Sequence, residues 1–320
     1  MTATGPGPRP VRTIFLGSGR FGLESLRCLA AHSDVDLVAV VTAPPRPAGR
    51  GQVLTATPID DAARELAVSN VLTPERLRAP ESGLAVMALG PELLVLADFG
   101  QIVPAALLGL PHGALNLHPS LLPKYRGATP IPAAILAGDR LTGVTLMRMD
   151  EGLDTGSIIA QQQHPLDGTE TAVVLENALA VVAGELLEIS LGPWLRGELR
   201  SVPQAAASAT VTRSFRREDG RLDPMRPAVE LERHVRAHVP WPGSFVETPS
   251  FGRLIAESAT LAPGESGDIA GHLVADGDGL ALTTSNGRLR FGRVRVAGRK
   301  PMSSAELRRG TPGLVGSVVR

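Results

Sequence analysis

The chain has 320 residues, 43% of them hydrophobic and 20% charged, with 32 basic side chains balanced by 32 acidic ones. That length accommodates two packed domains, and those proportions exclude a fibrous or intrinsically disordered protein. The single cysteine, Cys28, excludes an intramolecular disulfide and a thiolate metal cluster and suits a reducing, cytoplasmic compartment.

Met1 to Pro10 is rich in Gly and Pro without an apolar core, so it reads as a flexible tail and neither a signal peptide nor a membrane span. Val11 to Gly17 reads as the first strand. Gly17-Ser18-Gly19-Arg20-Phe21-Gly22 then leads into a helix carrying Phe21, Leu26 and Leu29, and matches G-x-G-x-x-G. A dinucleotide site also needs an acid at the end of the second strand to hold the ribose hydroxyls. That strand, Leu37 to Val41, ends in Thr42-Ala43, so no NAD is expected and the glycines are read as tight strand-to-helix packing. Pro44 to Gln52 reads as a long loop with two arginines, Arg46 and Arg50, and no apolar anchor; loops of that length are usually functional or disordered. Leu93-Leu94-Val95-Leu96-Ala97 is a continuous apolar run, as a central parallel strand requires, and Asp98-Phe99-Gly100-Gln101 follows at its carboxyl end.

The stretch from Ala114 to Gly156 concentrates the chemistry. In Leu115-Asn116-Leu117-His118, alternation puts Asn116 and His118 on one face of a strand, and Pro119, with no N–H to donate, turns the chain out of the ladder. An amide beside an imidazole at a strand's carboxyl end suits acyl transfer without a covalent enzyme intermediate. The Asn can donate to an oxygen that becomes negative, worth roughly 10²–10³ in rate. The His can move the proton or stabilise the oxyanion, worth about 10²–10⁴. Asp154, in Gly152-Leu153-Asp154-Thr155-Gly156, can orient the imidazole or take a proton from the attacking amine. None of the three is a nucleophile, so the substrate brings its own, most simply an amine. Taken singly, Asn-x-His is more often turn chemistry and Asp154 an Asx turn.

Val144 to Met147 supplies a further strand, and Thr169 to Leu191 a long helix whose Leu175, Leu179, Val182, Leu186 and Ile189 form one stripe facing the sheet. The Ala/Ser-rich Pro203 to Ser208 marks a linker. Beyond it, Leu280 to Thr284, an Asn286-Gly287 turn and Leu289 to Phe291 read as a hairpin, and short strands with glycine turns suggest a small barrel. From Ala209 onward there are 17 basic residues against 12 acidic ones, and all but one of the basic residues are arginines, which suit phosphate contacts. Arg288, Arg290, Arg293, Arg295, Arg299 and Lys300 form the local concentration, with Arg288 and Arg290 on one strand face and Leu289 and Phe291 on the other. A solvated basic surface is the plain alternative. The remaining histidines lack metal-ligand spacing, so no metal is expected.

Asn116 to Ile131, Thr142-Gly143-Val144-Thr145 and Asp150 to Gly156 together resemble the core of the 10-formyltetrahydrofolate-dependent formyltransferases. The resemblance implies that Asn116, His118 and Asp154 are the catalytic residues, that Ser120, Leu121, Leu122 and Pro123 hold the folate, and that 10-formyltetrahydrofolate is the formyl donor. Arg46-Pro47-Ala48-Gly49-Arg50-Gly51 is similar to the loop with which methionyl-tRNA formyltransferases reach the tRNA acceptor end. Arg236 to Ser244 and Ala297 to Met302 are similar to those enzymes' C-terminal domain. The implied activity is formylation of the α-amine of initiator methionyl-tRNA, with Arg46, Arg50, Arg299 and Lys300 contacting tRNA. The chain departs from the family pattern at Gln52 and Val53, often lysines there, and at Asp98, commonly a small residue. The resemblance also implies an architecture: a Rossmann-like, mostly parallel α/β formyltransferase domain at 11–202, a linker at 203–208 and a small OB-like β-barrel domain at 209–320. A monomer is expected. The alternatives are a formyltransferase acting on an amino-sugar nucleotide or other small amine, a nicotinamide oxidoreductase and a non-catalytic tRNA-binding protein.

Overall fold

The structure is a computed structural model that describes residues 9–48, 51–249 and 251–319. Its contacts divide the chain into two compact units. One comprises the chain up to Pro130 with Leu141–Pro165 and Glu176–Thr212; the other comprises Ile131–Arg140, Leu166–Leu175 and the chain from Arg213.

The first unit is built on a sheet of strands β1 (Val11–Gly17), β2 (Val35–Val41), β3 (Val71–Leu72), β4 (Leu93–Ala97), β5 (Ala114–His118), β6 (Leu141–Arg148) and β7 (Ser157–Pro165). Among the described residues the order is β7-β6-β5-β4-β1-β2-β3. The ladders from β5 through β4 and β1 to β3 are parallel, while β6 and β7 pair antiparallel. Strand β4 is buried along its whole length, because a parallel strand at the centre of such a sheet is covered on both faces and must be apolar on both. The strand order reverses between β1 and β4, and the carboxyl ends of parallel strands beside such a reversal are where open α/β sheets bind ligands.

The glycines at the end of β1 and just beyond it answer to close packing. A Cβ on Gly17 would lie 2.7 Å from the Ala97 carbonyl oxygen and one on Gly22 would lie 2.9 Å from it, so neither position tolerates a side chain. The helix Ala172–Leu195 carries the expected stripe with one correction. Leu175, Leu179, Val182 and Leu186 are buried, but Ile189 is 66% exposed and Ser190 and Leu191 are buried in its place. A strict seven-residue repeat drifts by about 20° per heptad against a straight helix, and two heptads carry Ile189 off the buried face.

The stretch read as a loop from Pro44 to Gln52 is partly a ladder: Arg46–Ala48 pairs antiparallel with Val53–Thr55, leaving Val53 and Leu54 exposed. Backbone pairing across so short a hairpin needs no apolar pattern, so hydropathy did not reveal it.

In the second unit the strands are β8 (Ser244–Thr248), β9 (Gly252–Ala256), β10 (Ala259–Ala262), β11 (Leu273–Asp276), β12 (Gly279–Thr283), β13 (Arg288–Phe291), β14 (Arg293–Val296) and β15 (Met302–Ser303). Among the described residues they form two antiparallel four-stranded sheets, β8-β9-β14-β15 and β10-β13-β12-β11, and no closed barrel is traced. Their inward faces share a core that includes Val246, Leu254, Leu282, Leu289 and Phe291, to which the helix Ala228–Ala237 contributes Leu231 and Val235. The β12-β13 hairpin is present. Its last ladder pair is Thr283 with Arg288, so the connection is four residues long, with Gly287 at φ 82°.

Candidate active site

Asn116 and His118 leave β5 on one face, as alternation requires. Asn116 is half-buried and His118 is 4% exposed. The strand is held on both sides, Asn116 opposite Leu96 of β4 and Met147 of β6, and His118 opposite Thr145. Asn116 therefore starts from backbone paired on both sides, and His118 from backbone paired on one.

Asp154 reaches the same place from a different element, the loop between β6 and β7. Its Oδ2 lies 3.6 Å from His118 Nδ1 and accepts a hydrogen bond of 2.8 Å from the Gly127 N–H. Its backbone is left-handed at φ 51°, a conformation Asp tolerates better than most residues. Gly127 is fixed in turn by Arg126–Gly127 pairing with Val211–Thr212. A Cβ on Gly127 would lie 2.2 Å from the Thr212 carbonyl oxygen, so the donor that holds Asp154 needs a glycine.

The second ring nitrogen of His118, Nε2, donates to the Tyr125 carbonyl oxygen at 2.9 Å. A carbonyl can only accept, so the Nε2 proton is assigned, and in the neutral ring Nδ1 carries the lone pair. Burial lowers the His118 pKa, and the charge of Asp154 and the Tyr125 carbonyl oppose that shift without reversing it. The result is a buried imidazole, neutral at physiological pH, whose Nδ1 can take a proton and whose positive form meets a carboxylate. At 3.6 Å, Asp154 is too distant to occupy Nδ1 with a full hydrogen bond.

Ser120, Leu121, Leu122 and Pro123 run directly from His118. Ser120 is fully buried, and its hydroxyl donates to the Lys124 carbonyl at 2.5 Å. Thr145 Oγ1 donates to the Ser120 carbonyl and accepts from the Leu122 N–H, and Gln161 Nε2 donates to both the Leu122 carbonyl and Thr145 Oγ1. The segment is thus braced from below by β6 and β7. Ser120 and Leu122 are committed inward, and the half-buried Leu121 and Pro123 offer apolar contact. Leu121 nests where Gly143 has no side chain: a Cβ there would lie 2.7 Å from Leu121 Cδ2. Such an apolar ledge beside a hydrogen-bonding strand end fits a flat heteroaromatic ligand.

Several supporting residues were not singled out from sequence. Gln204 donates to the carbonyls of Asp154 and Gly156, both at 2.8 Å, and accepts from Arg126, so one amide ties the Asp154 loop to the segment that carries Gly127. Nothing in its Ala/Ser-rich surroundings signalled that role. Thr145 and Arg126 fall within the stretches that resemble the formyltransferase core, but the sequence alone assigns neither a role.

Asp98 follows β4 at φ 53°, its carbonyl accepting from the Ser18 N–H. A Cβ on Gly19 would lie 1.5 Å from Asp98 Oδ2, so this glycine makes room for the carboxyl. The protein crowded around that carboxyl raises its pKa, and Glu176 is raised too, by its own burial first and then by the charge of Asp98. Arg46 is exposed on its short strand, and Arg50 lies outside the described residues. In the second unit Arg288 is bound by Asp268 and Glu265, Arg290 by Asp276, and Arg295 by Glu257. Arg299 and Lys300 are exposed, and among the described residues neither side chain forms an ion pair. Also among the described residues, no group of three or more His, Cys, Asp or Glu is placed to hold a metal ion, and no helix is long and apolar enough to cross a membrane.

The chain matches the formyl transferase family over residues 11–189 and the formyl transferase C-terminal domain over residues 215–312. It is 40% identical over 302 residues to the methionyl-tRNA formyltransferase of Roseiflexus sp. (strain RS-1), covering 94% of this chain and 93% of that protein. It is 41% identical over 310 residues to the methionyl-tRNA formyltransferase of Halorhodospira halophila (strain DSM 244 / SL1), covering 94% and 98%. Among solved structures, an N-formyltransferase from Helicobacter canadensis in complex with folinic acid and dTDP-3-aminofucose superposes with a TM-score of 0.64 at 19% identity, over 88% of this chain and 98% of that one. HypX from Aquifex aeolicus superposes with a TM-score of 0.61 at 18% identity; this chain spans about half of its length, covering 50% of it and 96% of itself. At such identities the structures share the fold. The two family matches and the near full-length identity place the chain in the formyl transferase family, among the methionyl-tRNA formyltransferases.

Proposed function

We propose that this protein transfers a formyl group from 10-formyltetrahydrofolate to the α-amine of methionine on initiator tRNA, for translation initiation. The observation that carries the chemistry is the meeting of Asn116, His118 and Asp154 at one strand end, with His118 Nδ1 facing a carboxylate held by Gly127. The identity of the substrate rests on the likeness to methionyl-tRNA formyltransferases along nearly the whole chain.

10-Formyltetrahydrofolate supplies the activated formyl group when bound; Leu121 and Pro123 would contact its ring, and Ser120 and Leu122 shape the segment from within. Asn116 donates to the formyl oxygen as the amine attacks and negative charge develops. His118 receives the proton released by the attacking amine at Nδ1 and returns it to the departing folate nitrogen, so the bond formed to one nitrogen is balanced by the bond broken to the other. Asp154 stabilises the imidazolium between these two events and orients the ring. A catalytic domain at 11–202 and a basic tRNA-binding domain at 209–320, joined by 203–208, divide the work. Arg46 and Arg50 reach the acceptor end, and Arg299 and Lys300 contact tRNA phosphates. The protein works in the cytoplasm as a monomer.

The test is single-turnover transfer of labelled formyl to methionine-charged initiator tRNA, with charged elongator tRNA and an amino-sugar nucleotide in parallel. Label confined to initiator tRNA is the expected result. Label on the amino sugar alone would keep the catalytic residues and overturn the tRNA assignment.

A further inference from the structure

The second unit contains a cavity of about 380 Å³ that the transfer reaction does not use. Its floor is apolar: Leu254 of β9, Leu307 of the helix Ser304–Gly310 and Leu314 are each nearly inaccessible. Val296, Phe251, Gly310 and Thr311 complete the wall, and the exposed Arg299 joins the lining.

Each wall is fixed by local geometry. Phe251 lies at the tip of the β8-β9 hairpin, where its N–H donates to Thr248 Oγ1 at 3.2 Å and Thr248 Oγ1 donates to the Gly252 carbonyl at 3.0 Å. The ring is half-buried, so it keeps surface to offer. Arg299 follows a tight turn in which Gly298 has φ 81° and the Arg299 N–H donates to the Val296 carbonyl at 2.9 Å. A residue with a side chain at 298 would be strained in that conformation.

The charge around the cavity is what selects an occupant. Nearby carboxylates are already engaged: Glu247 with Arg221 and Arg253, Glu257 with Arg293 and Arg295, and Glu306 as the cap on Ser303. Arg299 and Lys300 remain as exposed cations without an ion pair among the described residues. An apolar cleft with an aromatic wall, an exposed arginine in its lining and an exposed lysine next to that arginine in the chain is complementary to a flat ring joined to an anion. A nucleotide is that combination, since every base has a π face that stacks on aromatic side chains irrespective of sequence and its phosphate pairs with Arg.

We propose that this cavity takes one unpaired nucleotide of the tRNA substrate, its base stacked on Phe251 over Leu254 and Leu314 and its phosphate against Arg299 and Lys300. The inference rests on the tRNA reading above and adds a base-stacking contact to what the charges alone would supply.

The test uses the full chain. A single-stranded RNA trinucleotide carrying 2-aminopurine at its centre is titrated while its fluorescence is followed, with an RNA duplex of the same sequence in parallel. Quenching by the single strand and not by the duplex is expected. Phe251→Ala should weaken the trinucleotide at least tenfold and abolish quenching, and Phe251→Trp should restore both, which separates stacking from a folding defect. Arg299→Gln should weaken binding and lower its salt dependence by about one phosphate contact. In single-turnover formylation at saturating tRNA, Phe251→Ala should retain the wild-type rate while requiring more tRNA for half-saturation. No quenching with the wild-type chain, alongside normal formylation of methionyl-tRNA, would overturn the nucleotide site and leave the tRNA reading intact. Absence of formylation itself would instead remove the tRNA reading. Displacement of anilinonaphthalene sulfonate from the cavity by an acidic aromatic peptide but not by the trinucleotide would assign it to a protein partner and overturn the proposal.

Discussion

Two buried histidine sites, one in each unit, differ in how far their ring nitrogens are committed to partners. His234 and His238 stack at 3.9 Å between ring centroids, with Phe215 against His238 at 4.4 Å. Both ring nitrogens of His234 are spent, Nδ1 with Ser244 Oγ and Nε2 with the Asp219 carbonyl, each at 2.8 Å. His118 has one nitrogen spent in the same way, on a carbonyl, and the other facing a carboxylate beyond hydrogen-bond distance. Burial depresses the pKa at both sites. The difference lies in the uncommitted nitrogen and the carboxylate waiting for its charge, so burial by itself marks no active site.

The largest effect that would break this comparison is at His118. His118→Ala should lower single-turnover formyl transfer by about 10²–10⁴ and leave folate binding largely intact. Rapid-quench kinetics showing an unchanged rate would remove His118 from the mechanism. The structural pair should reveal itself in stability instead. The His234 pKa is pushed down to about 4, by burial first and then by the charge of His238. Above the unfolded value near 6.5 the ring is neutral in both states and nothing is lost. As pH falls from 6.5 towards 4 the unfolded chain takes up a proton that the folded chain refuses, so stability declines by about 3 kcal/mol and then levels. Denaturant titrations across that range should show the decline in the wild-type chain and a shallower one in His234→Gln; parallel curves would contradict the assignment.

Asp154→Asn is smaller again and sharper. The amide can still accept from Gly127, but the charge that props up the His118 pKa is gone, so turnover should fall about tenfold or more and the His118 limb of the pH profile should move to lower pH. A fall in rate with an unmoved limb would mean that Asp154 acts only by shape. The smallest effect is expected among the arginines. Arg290→Gln removes a cation already satisfied by Asp276 and should leave tRNA affinity and its salt slope unchanged, whereas Lys300→Gln should flatten the slope by about one contact. Equal slopes for the two variants would show that carboxylate pairing does not decide which cations reach tRNA.

Those arginines also show where sequence reading reaches its limit. Alternation put Arg288 and Arg290 on one strand face, opposite Leu289 and Phe291, and the two apolar residues are indeed buried. Yet Arg288 is itself 5% exposed, folded under Asp268 and Glu265 from a loop twenty residues away. A count of basic residues could not show that most of that concentration is neutralised in place. Ile189 and the Arg46–Ala48 ladder escaped for related reasons: a repeat of seven is an imperfect ruler for a 3.6-residue helix, and a three-residue strand is too short for any period to register.

What the sequence determined by itself were the features that depend on neighbours along the chain. The all-apolar run of β4, the alternation that pairs Asn116 with His118 and the break at Pro119 are local consequences of side-chain type, and they suffice to locate the sheet and two of the three polar groups. Only the tertiary structure decided that Asp154 meets His118 across 36 residues of chain, that Gly127 and Gln204 hold it there, and that, among the described residues, the side chains of Arg299 and Lys300 form no ion pair while neighbouring arginines do. Those outcomes depend on which loops converge in space, and the orientation of a carboxylate or the neutralisation of a guanidinium is a property of that convergence that no spacing along the chain encodes.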